Sequence, residues 1–281
     1  MSQIQVAPAA ELSDFVDLAF ARRLEMAETI LPDCVEALRR NDAKQSIAAE
    51  PIGGGVAFFG GATYPANQIV GMGLYGEVTC HDIERVEEFF RSRGVPATVV
   101  VSPLADATLL TLLAPRGYRV GEFNSVLIRR IHSNEPLVAP PGVVIERVTG
   151  ETLEPWASAI ATGFSEFGPV PPDVFTGFGH LPGALAFLAR IEGKIVGGSG
   201  GRIIPEARVA ALFGTATLPQ FRRRGVQTAL IARRLHEAAK AGCEYAVVST
   251  LPASGSQRNM ERRGFHLAYT KLVMVREWPS P

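Results

Sequence analysis

The stretch LPQFRRRGVQTAL, residues 218–230, determines how the rest of this sequence is interpreted. It follows a predicted strand, Val209 to Leu218, and leads into a predicted amphipathic helix, Val226 to Ala241. Amides at the start of a helix have no intrahelical partner, and the helix dipole is positive there. A glycine at the turn, Gly225, lets a ligand approach the backbone closely. Because consecutive arginines before it add positive charge, the stretch predicts a pyrophosphate cradle.

A solvated basic run that precedes a helix is the alternative interpretation of the same residues. Two better-known phosphate loops do not fit: the Gly-x-x-x-x-Gly-Lys-Ser/Thr spacing is missing, and so is Gly-x-Gly-x-x-Gly. The stretch alone therefore leaves both interpretations open.

The elements around this stretch alternate between strands and helices, which predicts a mixed α/β fold. Upstream we predict strands at Val143 to Val148, Ala184 to Arg190 and Lys194 to Ile204, with a helix at Leu153 to Phe164. Downstream we predict a strand at Tyr245 to Thr250, a helix at Ser254 to Arg263 and a closing strand at Phe265 to Arg276.

Two motifs accompany this order of elements: Leu-Pro-x-x-Arg-Arg-x-Gly-Val-Gln after a strand, and SQRNMERRGF (residues 256–265) before the last strand. Together, the order and the motifs resemble those of the GNAT superfamily of N-acetyltransferases. In that family an Arg/Gln-x-x-Gly-x-Gly/Ala loop binds the pyrophosphate of acetyl-coenzyme A. Arg222, Gly225 and Gln227 occupy its three defining positions, and Gln227 departs from Gly/Ala. The resemblance covers about Val143 to Trp278.

The resemblance also implies that the strand before the loop pairs with the pantetheine arm and that the helix before Gly264-Phe265 flanks the thioester. With acetyl-CoA as cosubstrate and no metal, the predicted coenzyme-binding residues are Ala216, Thr217, Leu218, Arg222, Arg223, Arg224, Gly225, Val226, Gln227, Thr228 and Ser256.

The first half of the chain carries a fainter copy of the pattern. The same series occurs in both halves: a strand, a helix, an Arg-Gly-aromatic step and a second strand. Ser102 and Ser249 occupy the same place in the two series, so the offset is 147 residues. A repeat of this length predicts duplication. We therefore expect two GNAT-like domains, each a mixed central sheet flanked by helices: residues 1–131, a linker HSNEPLVAPPG at 132–142, and an acetyltransferase domain at 143–281.

The copy in the first half lacks the chemistry of the second. Its equivalent segment, GMGLYGEVTCHD at residues 71–82, has no arginine and places Glu77 and Asp82 near a helix start. Asp82 is predicted as the N-cap, where a carboxylate occupies the amides and repels phosphate. We expect no coenzyme site in residues 1–131, which then either shape the substrate pocket or only bury surface.

Catalytic groups are harder to predict. The family often has a tyrosine acid four residues before the Gly-Phe step, and here that position is Met260. Tyr269, Ser256 or water are the remaining candidates for the acid. The loop from Gly163 to His180 contains candidate bases. It also contains aromatic residues, which either line the acceptor pocket or pack in the hydrophobic core. Its candidate bases are Glu166, Asp173 and His180, and its aromatic residues are Phe164, Phe167, Phe175 and Phe178.

The composition of the chain argues against several classes of protein. Lys+Arg and Asp+Glu are both 28, so a net charge of zero opposes a dedicated nucleic-acid binder. Three scattered cysteines have no disulfide or zinc spacing, and no apolar run reaches the roughly 20 residues of a membrane span. The N-terminus has no signal-peptide pattern, so a cytoplasmic location is expected.

The favoured function is an N-acetyltransferase that acts on a small-molecule or peptide amine by direct attack in a ternary complex. A covalent acyl-enzyme lacks a nucleophile, because no cysteine is predicted near the thioester. A non-catalytic acyl-CoA sensor is the alternative, and Met260 together with the missing base motivates it. The acceptor and the oligomeric state are not fixed by the sequence.

Overall fold

The computed structural model describes residues 15–29, 32–41, 47–167 and 172–279. Its helices are α1 (Leu18–Glu28), α2 (Pro32–Asn41), α3 (Cys80–Arg91), α4 (Ala107–Leu113), α5 (Leu153–Phe164), α6 (Asp173–Gly179), α7 (Val226–Lys240) and α8 (Gly255–Glu261). Its strands are β1 (Ala48–Ile52), β2 (Gly55–Phe59), β3 (Gln68–Val70), β4 (Ala97–Val101), β5 (Arg119–Arg130), β6 (Val143–Arg147), β7 (Phe187–Ile191), β8 (Lys194–Ile204), β9 (Val209–Thr217), β10 (Tyr245–Thr250) and β11 (His266–Arg276). Over these ranges, no helix is both long enough and apolar enough to cross a membrane.

The predicted α/β class and the predicted elements of the second half are confirmed. The bounds of α5, β8 and β10 agree with the prediction residue for residue. The prediction of Asp82 as N-cap was wrong: Thr79 caps α3, and Asp82 is the third helical residue of a capping box. No prediction was made for α1, α2 and β1 to β3, because their short segments lack a clear period.

All eleven strands belong to one hydrogen-bonded sheet, in the order β1-β2-β3-β4-β11-β5-β10-β9-β8-β7-β6. The last strand of the chain, β11, lies between β4 and β5 and is antiparallel to both. The last strand of the first half, β5, in turn pairs with β10. Each half therefore pairs with a strand from the other half, which joins the two halves in one sheet.

Helices cover the sheet on two faces. Side chains alternate along a strand, so neighbouring residues of β9 point to opposite sides. Val209 and Ala211 pack in a cluster with α1, whereas Ala210 and Leu212 pack in a cluster with α7. We call these sides the α1 face and the α7 face.

A gap opens in the sheet between β9 and β10. The two strands pair in parallel only from Val209 to Ala211 against Tyr245 to Val247, although both continue beyond that point. On its other side, β9 changes register against β8 between Gly198 and Gly200, and Gly214 there has a φ of +56°. A bulge of this kind bends a strand, so β9 diverges from β10. From residue 212 onward, the edge of β9 that faces β10 pairs with no strand of the described chain.

A buried arginine of α7 holds this bulge in place. The Arg234 side chain is 1% exposed and donates to the carbonyl oxygens of Leu230 (3.2 Å) and Gly200 (2.7 Å) and to Thr215 Oγ1 (2.8 Å). Burial lowers the pKa of its guanidinium to about 9, which still leaves it protonated at neutral pH. Its hydrogen bonds connect α7 to both strands at the bulge.

We expect Arg234→Ala to lower the free energy of unfolding by about 3 kcal/mol, because it leaves a cavity and unpaired carbonyls at the bulge. Urea denaturation measures this change. Arg233→Ala is the matched control on the same helix: its side chain is 27% exposed and pairs with Glu237 at 3.2 Å. Its removal is expected to change stability by less than about 1 kcal/mol. Equal effects of the two substitutions would contradict this role for Arg234.

Candidate active site

The turn before α7 presents unpaired backbone donors. Gly225 is the N-cap residue, with a φ of +78°, and no side chain caps the helix. The amide of Ala229 donates to the carbonyl of Gly225 at 3.1 Å. Among the described residues, nothing accepts a hydrogen bond from the amides of Val226, Gln227 and Thr228. These donors and the positive end of the helix dipole have the chemistry that favours an anion.

The side chains of Gln227 and Thr228 are used to attach α8. Asn259 Nδ2 donates to Gln227 Oε1 at 2.9 Å, and an Arg263 guanidinium nitrogen donates to Thr228 Oγ1 at 2.7 Å. These contacts leave the backbone amides of both residues free to face a ligand. A glutamine in place of Gly/Ala at position 227 therefore keeps its amide available and adds a contact that fixes α8 beside the turn.

Two of the three arginines at the turn face solvent without a carboxylate partner among the described residues. Arg223 and Arg224 are exposed, and the Arg224 guanidinium lies 5.9 Å from the ring centre of Phe221. Arg222 differs, because it makes two hydrogen bonds to Glu166, at 3.0 and 2.9 Å. Glu166, which is a predicted base, thus lies beside the turn.

The corresponding turn of the first half is closed by its own side chains. The Thr79 hydroxyl accepts from the Asp82 amide at 3.2 Å, and Asp82 Oδ2 accepts from the Thr79 amide at 2.9 Å. The hydrogen bond from the Thr79 side chain lowers the pKa of the Asp82 carboxyl. A fixed negative charge at this helix start opposes phosphate binding.

A cavity of about 420 Å³ lies on the α1 face at the gap between β9 and β10. Both halves of the chain build its walls, which are mainly apolar. Its aromatic lining consists of Phe58, Tyr64, Phe164, Phe175, Phe178 and Phe213. Three of the four phenylalanines predicted as an aromatic lining are therefore in it, and the side chain of the fourth, Phe167, lies outside the described residues.

Glu28 places a carboxylate in this cavity at the gap. Ser249 Oγ, on β10, donates to Glu28 Oε1 at 2.5 Å, and Lys271 Nζ donates to Glu28 Oε2. Glu28, Ser249 and Lys271 all line the cavity. The Glu28 side chain is 16% exposed, so it is accessible to a bound molecule but largely shielded from bulk water.

A second carboxylate, Glu25, lies behind Glu28 in the core. Tyr269 donates to it at 2.7 Å and Lys271 at 3.2 Å. Burial raises the pKa of Glu25. Burial alone would lower the pKa of Lys271, but the two glutamates outweigh it and raise that pKa above its usual range. The Tyr269 pKa is also raised, by burial and by Glu25. Lys271 thus stays charged and orients Glu28.

The predicted catalytic residues occupy separate places. Glu166 pairs with Arg222, His180 is exposed at the end of α6, and Tyr269 is bound to Glu25. None of the three lines the cavity. The side chain of the alternative base, Asp173, lies outside the described residues. Met260 is buried in the core, as its apolar side chain favours.

The predicted coenzyme-binding residues lie around the gap. Ala216 and Thr217 pair with β8 but lie beyond the residues of β9 that pair with β10, and the buried Thr217 hydroxyl has no partner in the described chain. Leu218 follows them, and Ser256 is exposed in the first turn of α8. The sequence did not indicate four residues of the cavity: Glu28, Ser249, Lys271 and Arg202. The one local signal for them was Lys271, a charged residue in the middle of the mainly apolar strand β11.

Comparison with known proteins identifies the fold class. Residues 152–265 match the model of the Acetyltransferase (GNAT) family. This range, about two fifths of the chain, is therefore similar to a GNAT domain. No curated protein matches the sequence.

Solved structures resemble nearly the whole chain. A GCN5-related N-acetyltransferase from Kribbella flavida has a TM-score of 0.63 and 18% identity, with 92% of this chain and 96% of that chain covered. One from Sphaerobacter thermophilus has a TM-score of 0.56 and 17% identity, covering 92% and 93%. A tandem GNAT protein from the clavulanic acid biosynthesis pathway has a TM-score of 0.57 and 13% identity, covering 94% and 95%. At these identities the similarity establishes the fold alone.

Proposed function

We propose that this protein is an N-acetyltransferase that transfers an acetyl group from acetyl-CoA to a small-molecule or peptide amine by direct attack in a ternary complex. One observation carries the proposal. The gap between β9 and β10 has unpaired helix-start amides at one end, on the α7 face, and a cavity with a carboxylate at the other, on the α1 face.

The residues of the second half fit the coenzyme. The free amides of the α7 turn, with Arg223 and Arg224, are suited to hold a pyrophosphate. The unpaired edge of β9 at Ala216 and Thr217 offers backbone groups to the amides of pantetheine. When bound, acetyl-CoA supplies an activated acyl thioester. Residues 143–281 would form the coenzyme-binding domain, and residues 1–131 would contribute cavity walls without a coenzyme site.

Glu28 is our proposed general base. An alkylamine with a pKa near 10.4 is only about one part in 2,500 neutral at pH 7, a deficit of roughly 4–5 kcal/mol. A carboxylate in a shielded cavity binds the ammonium form and accepts one of its protons, which frees the lone pair of the nitrogen for attack on the thioester carbonyl. Ser249 and Lys271 position the carboxylate. Ser256 is the proposed hydroxyl for the leaving thiolate, because Tyr269 already donates to Glu25.

A non-catalytic acyl-CoA sensor is the second candidate, favoured by the burial of Met260 where many relatives carry a tyrosine. Release of free coenzyme A in the presence of an amine panel separates the two functions. Turnover on at least one amine supports the enzyme. Tight coenzyme binding with no turnover on any acceptor supports the sensor.

We expect Arg224→Glu to weaken coenzyme binding at least about tenfold, because a carboxylate at the helix start opposes both phosphate charge and the helix dipole. Isothermal calorimetry with acetyl-CoA measures the dissociation constant. Lys240→Glu is the control: it makes the same change from a positive to a negative charge at the opposite end of α7, where the side chain is 64% exposed. Unchanged affinity for the Arg224 variant, or equal weakening by both, would refute the assignment of the turn.

A further inference from the structure

Arg202 is a buried cation that the protein itself leaves largely unpaired. It lies on β8 opposite Ala211, so its side chain is on the α1 face, where it lines the cavity. It is only 7% exposed. Its one hydrogen bond within the described chain runs from Nη1 to the carbonyl of Thr29, at a long 3.4 Å. Nε has no partner, and no described carboxylate forms an ion pair with the guanidinium.

Arg234, the other buried arginine described above, differs from Arg202 in how its guanidinium is hydrogen-bonded. Arg234 is buried even more deeply, at 1% exposure, but three acceptors bind its guanidinium. Leaving a buried charge without partners costs several kcal/mol, so such groups are normally paired. Arg202 instead lines a cavity, although its unpartnered Nε is shielded from solvent. A guanidinium in that position is suited to a planar carboxylate, which accepts two parallel hydrogen bonds.

The cavity also holds the opposite charge at a separate place. Glu28 lies at the gap with Ser249, and it makes no ion pair with Arg202 although both line the same cavity. Aromatic side chains from both halves form much of the remaining wall. A carboxylate and a guanidinium held apart in an apolar cavity match a molecule that carries an ammonium and a carboxylate on an apolar body.

We propose that the acceptor is an amino acid or a closely related aminocarboxylate with an apolar, preferably aromatic, body. Arg202 binds its carboxylate, and Glu28 receives its ammonium at the gap where transfer takes place. The volume of about 420 Å³ is within the range of pockets for small molecules. The assignment of the transferred nitrogen rests on the proposed function, whereas recognition of the carboxylate does not. Polyamines and aminoglycosides, which lack a carboxylate, do not fit Arg202.

Binding of small probes tests recognition without any need for catalysis. We expect the full-length protein to bind 3-phenylpropionate at least about tenfold more tightly than 3-phenyl-1-propanol in calorimetry, since only the former pairs with Arg202. Arg202→Met should abolish this preference, and Arg202→Lys should retain part of it. Arg208→Met, on the exposed turn between β8 and β9, is the control and should keep it. Equal binding of the two probes by the unmodified protein overturns the proposal even if a variant fails to fold.

Acetylation kinetics test the acceptor itself. We expect phenylalanine to have a KM at least about tenfold below those of phenylalaninamide and phenethylamine, and Arg202→Met to raise the KM for phenylalanine alone. Equal KM values for the three amines would overturn the carboxylate assignment. If no amine is acetylated but the binding preference is present, the acetyltransferase function is refuted and carboxylate binding by Arg202 is retained. If amines are acetylated without a preference for a carboxylate, the acetyltransferase function is retained and the role of Arg202 is refuted.

Discussion

Glu28→Gln is expected to lower kcat for amine acetylation by about a hundredfold, at the lower end of what general bases contribute, and to leave coenzyme affinity unchanged. The amide has a similar shape but cannot accept the proton of the ammonium. Because Glu28 lies on the α1 face, away from the α7 turn, the coenzyme site is not altered. Steady-state kinetics and acetyl-CoA calorimetry measure the two quantities.

Glu166→Gln is the matched control for this experiment. It makes the same chemical change in the glutamate that pairs with Arg222, outside the cavity. We expect its kcat to stay near that of the unmodified protein. Because Glu28 also contacts Lys271, thermal unfolding of each variant is followed alongside. Loss of kcat in the Glu166 variant with retention in the Glu28 variant would assign the base to Glu166 instead.

Gly225→Ala is expected to raise the acetyl-CoA dissociation constant at least about tenfold and to lower stability by about 1–3 kcal/mol. The φ of +78° at this residue is unfavourable for alanine. An added Cβ would also lie 2.5 Å from Cγ of Pro140 in the 132–142 segment. The turn must then shift, and its amides move away from the phosphate positions.

Gly242→Ala separates the two causes. Gly242 follows the other end of α7 with a φ of +75°, and an added Cβ there meets nothing within 4 Å. This variant should lose stability through backbone strain alone and keep its coenzyme affinity. Adding Pro140→Ala to Gly225→Ala removes the clashing Cγ and should recover part of the affinity. Unaltered coenzyme binding in Gly225→Ala would contradict the role of the turn.

The exchange of closing strands makes the two halves depend on each other. Separation at the 132–142 segment would leave β10 without β5, and β4 without β11. The same exchange brings β11, and with it Lys271 and Tyr269, beneath α1 of the first half. Residues of both halves line the cavity, so the first half would contribute to the proposed acceptor site.

The sequence by itself determined the local features of this protein. The turn at residues 218–230, the bounds of β8, β10 and α5, and the mixed α/β class follow from periodicity, glycines and helix starts, which act within a few residues. The family motif lies in one continuous stretch for the same reason, because a strand, a turn and a helix start are enough to build an anion site.

Only the tertiary structure decided the acceptor side. The contact of Lys271 with Glu28 spans 243 residues, that of Ser249 with Glu28 spans 221, and that of Arg202 with Thr29 spans 173. Periodicity specifies which face of a strand is buried but not which strand lies beside it. The position of β11 between β4 and β5, which brings these charges together, depends on how complete sheet edges pair, and no local pattern encodes that pairing.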